Sequence, residues 1–283
     1  MVEPSNPPPQ SERWPASGAS LRSQALAALQ ICSMQDKARV VRSLDAARWP
    51  VDRTAHIPEP AGVPGRPQRP LLVQPGALKN RAVGTLEGRA SLIHALVHIE
   101  ANAINLALDI VWRFAEMPEV FYRDWFRIAQ EEALHFELLD AHLATLGHAY
   151  GDFPAHDGLW DMAARTCSDV LARLALVPRT LEARGLDATP AIQTKLISVG
   201  DRRGAQILDI ILRDEIGHVA AGNHWYALVC AERGLNPLAT DAALALHHAA
   251  PTLKGPFNLA ARRAAGFTEV ELAALCGTPS ADS

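Results

Sequence analysis

Apolar residues recur at three- and four-residue steps along most of this chain. Between residues 20 and 44, Leu21, Ala25, Leu29, Val40, Val41 and Leu44 keep that step. It predicts an accessory helix or a helix pair. A long helix is predicted over residues 85–115, ended by Pro118, which cannot continue it. A second follows over residues 119–146, closed by Gly147 and Gly151. The third begins near Leu159 and runs to Ala183, where the stretch from Gly185 to Pro190 interrupts the pattern. Thr189 and Pro190 read as a cap and first helical position, so a helix resumes to Val199. Gly200 breaks it again, and a fourth long helix is predicted over residues 201–233. Short helices are expected at 240–248 and 268–275, with an irregular stretch at 253–259 between them. Strand-like alternation is nearly absent, so the expected fold is all-α.

Proline divides the rest of the chain. Residues 1–18, with five prolines, read as a disordered arm. Residues 19–84 read as accessory helices followed by a Pro-rich wrapping segment, since residues 50–76 hold seven prolines and cannot be helical. Leu71, Leu72 and Val73 supply the reason to wrap, because they need a surface to cover. An antiparallel four-helix bundle is expected over residues 85–235, and a C-terminal helical extension over 236–283.

The polar residues inside the long helices carry the chemistry. Glu100 stands alone as a carboxylate in an apolar run; Glu132 and His135 follow as Glu-x-x-His. Glu182 and then Glu215 with His218 repeat the arrangement. Residues three apart share a helix face, so each Glu-x-x-His presents an oxygen and a nitrogen to one point. Four carboxylates and two imidazoles make a balanced ligand set for two divalent ions inside a four-helix bundle. Spacing supports this. Glu100 to Glu132 is 32 positions and Glu182 to Glu215 is 33. Glu100 precedes Pro118 by 18 and Glu132 follows it by 14; Glu182 precedes Gly200 by 18 and Glu215 follows it by 15. At about 1.5 Å per residue, each antiparallel pair brings its ligands to one level within about 5 Å. Gly200 must therefore be the true reversal, and the Gly185–Pro190 interruption a kink or short loop beside Glu182.

Glu131 and Asp214 stand just before the two motifs. Ligating histidines usually donate their second ring proton to a carboxylate or carbonyl, so Glu131 is expected at His218 and Asp214 at His135, with plain solvent-facing acids as the competing reading. His98, near Glu100, is expected as a further outer partner, with a plain core histidine as the competing reading. Glu182 has a competing reading as a surface partner of Arg179 or Arg184. Arg202-Arg203 and Arg262-Arg263 read as solvated.

Composition narrows the setting. A hydrophobic share of 48% suffices for a core. A formal net charge of −4 argues against a general nucleic-acid or anionic-membrane binder, while leaving a tRNA substrate open. Four scattered cysteines without a Cys-x-x-Cys pair fit buried reduced thiols and a cytoplasmic setting. The first 14 residues lack the basic start and apolar core of a secretory signal. The most apolar stretch, residues 92–114, is interrupted by His94, His98, Glu100, Asn102, Asn105 and Asp109, so no membrane span is expected.

Several stretches resemble the family known as DUF455. They are His98-Ile-Glu100, Glu131-Glu-Ala-Leu-His135-Phe, Leu181-Glu-Ala-Arg-Gly-Leu-Asp187, Arg213-Asp-Glu-Ile-Gly-His218-Val, Lys254-Gly-Pro-Phe-Asn258 and Arg262-Arg-Ala-Ala-Gly266-Phe. The resemblance covers residues 20–275. It implies a ferritin-like di-iron carboxylate fold and a bacterial cytosolic protein, but no substrate. The expected function is a di-iron oxidoreductase that activates dioxygen or peroxide and oxidises or hydroxylates an unidentified organic substrate. Two iron ions are the expected cofactor, and manganese suits the same ligands. Two alternatives stand beside it: a ferroxidase or peroxide-scavenging iron handler, and a non-catalytic metal-stabilised interaction module. A homodimer is left open.

Overall fold

A computed structural model describes residues 19–79 and 81–277. The arm expected over residues 1–18 lies outside the described residues. Everything regular among the described residues is helical, apart from one isolated bridge between Leu72 and Ala155.

Two short helices come first, α1 (Leu21–Leu29) and α2 (Met34–Ser43). Ser20 and Ser33 cap them by accepting the backbone N–H groups of Ser23 and Asp36. Four long helical stretches follow. The first two are α3 (Leu86–Arg113) and α4 (Glu119–Thr145). They pack extensively against each other, with Pro118 at the turn, and α1 and α2 lie on their outer side. The third stretch is composite: α6 (Val170–Leu176), a π-helical segment (Val177–Glu182) and α7 (Ala183–Ser198) run on without a gap. The fourth, α8 (Arg202–Glu232), returns along α7 and also packs against α4 and α6. Between α4 and α6 sits α5 (Gly158–Arg165), and α9 (Pro237–His247), α10 (Leu259–Ala264) and α11 (Glu269–Leu275) complete the chain. Gly200, at φ +81°, makes the reversal between α7 and α8, a conformation that a side chain would disfavour.

The third helix departs from expectation at two places. It starts later, because Thr166 closes α5 by donating to the Met162 carbonyl, and Asp169 caps α6 at Leu171 N. Helix α7 then runs unbroken through Gly185 and Pro190, where a kink was expected. Pro190 has no N–H to offer the carbonyl of Leu186, four residues back. The Asn258 side chain donates to that carbonyl instead, at 3.2 Å. A contact from far along the chain thus repairs the defect that the local sequence announces. The irregularity lies earlier, in the π segment that contains Pro178 and ends on Glu182.

The Pro-rich segment does lie over the helices. The Gly65 N–H donates to Leu29 O, the Gly65 carbonyl accepts from the Lys37 ammonium at 3.0 Å, and Arg66 pairs with Asp157. Leu71 and Leu72 are not what holds it, since they are 68% and 39% exposed. Backbone hydrogen bonds between this segment and Ala155 fix it there.

Helix α3 is long and apolar enough to cross a membrane. Its faces are spent inside the protein: Ile104, Leu106, Leu108, Ile110 and Val111 are wholly buried against the surrounding helices. Asp109 on this helix is also wholly buried, ion-paired with Arg173 of α6 and Arg113. Of the four cysteines only Cys230 is buried; Cys32 and Cys276 are exposed.

Candidate metal centre

Acidic and imidazole side chains from α3, α4 and α8 meet in the interior, and Glu182 stands beside them without joining the four residues whose donor atoms converge. Glu100 comes from the middle of α3, Glu132 and His135 from α4, Glu182 from the end of the π segment, and Glu215 and His218 from α8. One donor atom each from Glu100, Glu132, His135 and Glu215 lies within 4.8 Å of the others, and all four residues are buried. His218 joins them. Its ring centroid is 5.8 Å from that of His135.

Glu132 is at the centre. Its Oε2 stands 3.3 Å from His135 Nδ1, and its Oε1 stands 2.8 Å from His218 Nδ1. One carboxylate therefore faces both histidines with separate oxygens. Glu100 Oε2 is 3.4 Å from His135 Nδ1, and Glu215 Oε1 is 3.7 Å from His218 Nδ1.

The outer nitrogens are held by the opposite motif. Nε2–H of His135 donates to Asp214 at 3.1 Å, and Nε2–H of His218 donates to Glu131 at 2.8 Å. A carboxylate can only accept when ionised, so each pair directs the Nδ1 atom inward. Arg213 and Arg127 in turn donate to Asp214 and Glu131. Those two arginines were missed in the sequence, although the i, i+4 step from Arg127 to Glu131 and the adjacency of Arg213 to Asp214 were visible.

Burial and mutual charge perturb every ionisable group here. Burial raises the Glu100 carboxyl to about 8, and His135 only partly offsets it. Burial and the nearby Glu215 and Glu132 carboxylates drive Glu182 well above its ordinary range. Glu215 rises for the same reason, burial first and then Glu132. Burial acts the same way on Glu132, but His218 and His135 outweigh it and hold this carboxylate far below its usual range. The histidines move upward. Burial opposes their charge, yet Glu100 and Glu132 push His135 up to about 11, and Glu132 with Glu131 pushes His218 well above normal.

The residues fit a divalent metal on one further observation. Glu100 Oε2, Glu215 Oε2 and His218 Nδ1 are buried and lack an aligned hydrogen-bond partner. Buried polar atoms without partners are costly. Here three of them, all oxygen or imidazole donors, sit in one cluster. A cation held by this group would supply the partner that these buried atoms lack.

His98 is not part of this cluster. On α3 it lies roughly 160° around the helix from Glu100. Its Nε2–H donates to the His156 carbonyl at 3.1 Å, so its Nδ1 accepts from the Tyr150 hydroxyl at 2.9 Å. Burial lowers its imidazole to about 4, so it stays neutral. With Asn102, Asn105, Arg66 and Tyr150 it lines a separate cavity of about 30 Å³ under the Pro-rich segment, room for about one water. Glu182 does not pair with Arg179, which turns to Asn223, Asp241 and Glu271. Arg262, expected in solvent, is 1% exposed and paired with Asp187.

A family profile described as "Protein of unknown function (DUF455)" matches residues 30–273. A protein of Haemophilus influenzae (strain Rd), described only as uncharacterized, is 46% identical over 262 residues, spanning 88% of this chain and 91% of its own. No solved structure matches. All the cluster residues and their outer partners fall inside the matched region, and the chain belongs to the DUF455 family, whose function is unknown.

Proposed function

We propose that this protein is a ferritin-like di-metal carboxylate oxidoreductase that acts with dioxygen or peroxide on an organic substrate. The observation that carries the reading is the position of Glu132, with one oxygen toward each histidine, while each histidine is steered by a carboxylate from the other motif. Glu100, Glu132, His135, Glu182, Glu215 and His218 would hold the ions, with Glu132 standing between the two histidines. When bound, a pair of iron or manganese ions supplies Lewis acidity and redox equivalents that side chains lack. The chain's own part is to orient the donors through Asp214 and Glu131, and to keep water out with the buried faces of α3 and α8. Ferritin-like identity for the four-helix core is part of this proposal, supported by the common level of the donors.

Metal analysis of the native protein beside a Glu132→Ala/His135→Ala variant tests the site. The native chain should hold two ions and the variant fewer than one. Two ions retained by the variant would overturn the assignment. For the activity, the iron-loaded, reduced protein should consume dioxygen or peroxide; an inert protein would refute the oxidoreductase reading.

A further inference from the structure

Glu182 extends from an unusual backbone, the last residue of the π segment. A π-helical turn is rare and poorly self-supporting, and it turns the residues around it away from the ordinary helical face. The segment Val177–Glu182 must be held from outside, and its fixtures bracket Glu182 on both sides.

Arg179 lies three residues before Glu182, with its side chain only 5% exposed. Its Nε donates to Asn223 of α8 at 2.6 Å, its Nη1 to Asp241 of α9 at 2.9 Å, and its Nη2 to Glu271 of α11. The guanidinium also lies 4.1 Å from the Tyr226 ring centroid and 5.4 Å from that of Phe267. After Glu182, Ala183 and Leu186 form a small buried cluster with Val219 of α8 and Ala261 and Ala265 from the C-terminal region. Arg262 clasps both oxygens of Asp187, at 3.0 and 2.6 Å, and the Asn258 backbone N–H donates to Asp187 at 2.9 Å. From α8, Gly222 lets the segment approach closely: a Cβ there would fall 2.7 Å from Pro178 Cβ.

We propose that residues 258–271 are a positioning clamp for Glu182, acting through Arg179 on one side and the Arg262–Asp187 pair on the other. The inference rests on the di-metal reading. Arg179 and Arg262 are positioning residues: their hydrogen bonds go to Asn223, Asp241, Glu271, Asp187 and the Ala183 carbonyl, and they set the backbone from which Glu182 extends. The C-terminal extension is thereby a working part of the metal centre, and Glu182 the ligand most dependent on distant structure.

Titration of the metal-free full-length protein with cobalt(II), followed by calorimetry and by the visible cobalt spectrum, tests this without any turnover. Wild type should bind two ions, and Glu182→Gln should weaken the second by at least about tenfold. Arg179→Lys and Arg262→Lys should weaken the same ion by about three- to tenfold and alter its spectrum while leaving the first ion unchanged. In the Glu182→Gln background neither should add a further loss, because the ligand it positions is gone. Gly222→Ala, which presses on Pro178 from the other side, should act in the same way and serves if an arginine variant does not fold. Unchanged affinity in all three clamp variants, or losses that add fully to Glu182→Gln, would overturn the clamp while sparing the metal reading. A wild type that binds fewer than two cobalt ions, or a Glu182→Gln with wild-type titration, would overturn the di-metal reading and the clamp with it.

Discussion

Lys37 offers a perturbation whose size follows from the structure. It is fully buried on α2, where it donates to the Gly65 carbonyl at 3.0 Å and to the Asn105 side chain. Both partners are neutral. Burial first, and the charge of Arg66 second, lower its ammonium from 10.5 to about 7. A neutral amine can still donate both hydrogen bonds, so the fold accepts that form. The folded pKa is depressed, so between about pH 7 and pH 10.5 the unfolded chain binds a proton that the folded chain does not. Stability from this group is therefore complete above pH 10.5, falls as pH drops toward 7, and levels off below that. Each pH unit in that window is worth about 1.4 kcal/mol. Substituting Lys37→Met removes the linkage. Urea unfolding of wild type and variant at pH 7.5, 8.5 and 9.5, at constant ionic strength, reads it. The wild type should gain on the variant by about 3 kcal/mol across those two units. Both forms share every other titrating group, so the difference isolates Lys37. A difference between the two proteins that stays flat with pH would refute the argument, whatever its absolute value.

Two further outcomes follow from buried polar contacts. Asp109→Ala strips the wholly buried Arg173 of its counter-charge across α3 and α6; a loss of about 3–5 kcal/mol in urea unfolding is expected, and one under about 1 kcal/mol would contradict it. Asn258→Ala should cost about 1–3 kcal/mol because the Leu186 carbonyl loses its donor. The same substitution should cost clearly less in a Pro190→Ala background, where the helix supplies its own N–H; equal costs in the two backgrounds would show that Asn258 does not stand in for the proline.

Local sequence and tertiary structure divided the work along a physical line. Periodicity and breakers act over one or two turns, and they announced the all-helical class. The expected ranges 85–115, 119–146 and 201–233 meet the observed Leu86–Arg113, Glu119–Thr145 and Arg202–Glu232 closely. Arithmetic across the turns placed the second reversal at Gly200, where the structure has it, and expected the four glutamates at one level; Glu100, Glu132 and Glu215 do converge. Motif spacing also pointed Glu131 at His218 and Asp214 at His135, the contacts that the structure contains.

What depended on distant contacts was illegible from the chain alone. Gly185 and Pro190 look like a break, yet α7 runs through both, and Asn258, far along the chain, donates to the Leu186 carbonyl that the proline leaves free. Arg179 looks like surface charge until Asp241 of α9 and Glu271 of α11 meet it, and Arg262 on α10 until it meets Asp187 of α7. His98 shares a helix with Glu100, yet Tyr150 and the His156 carbonyl claim its ring. The sequence by itself determined the all-helical class and the bounds of α3, α4 and α8, since these follow from local geometry. The tertiary structure alone decided which polar groups meet, because a buried group takes whatever partner the rest of the chain brings to it. At Glu182 both levels act together: the motif supplies the carboxylate, and a π turn held by remote residues aims it.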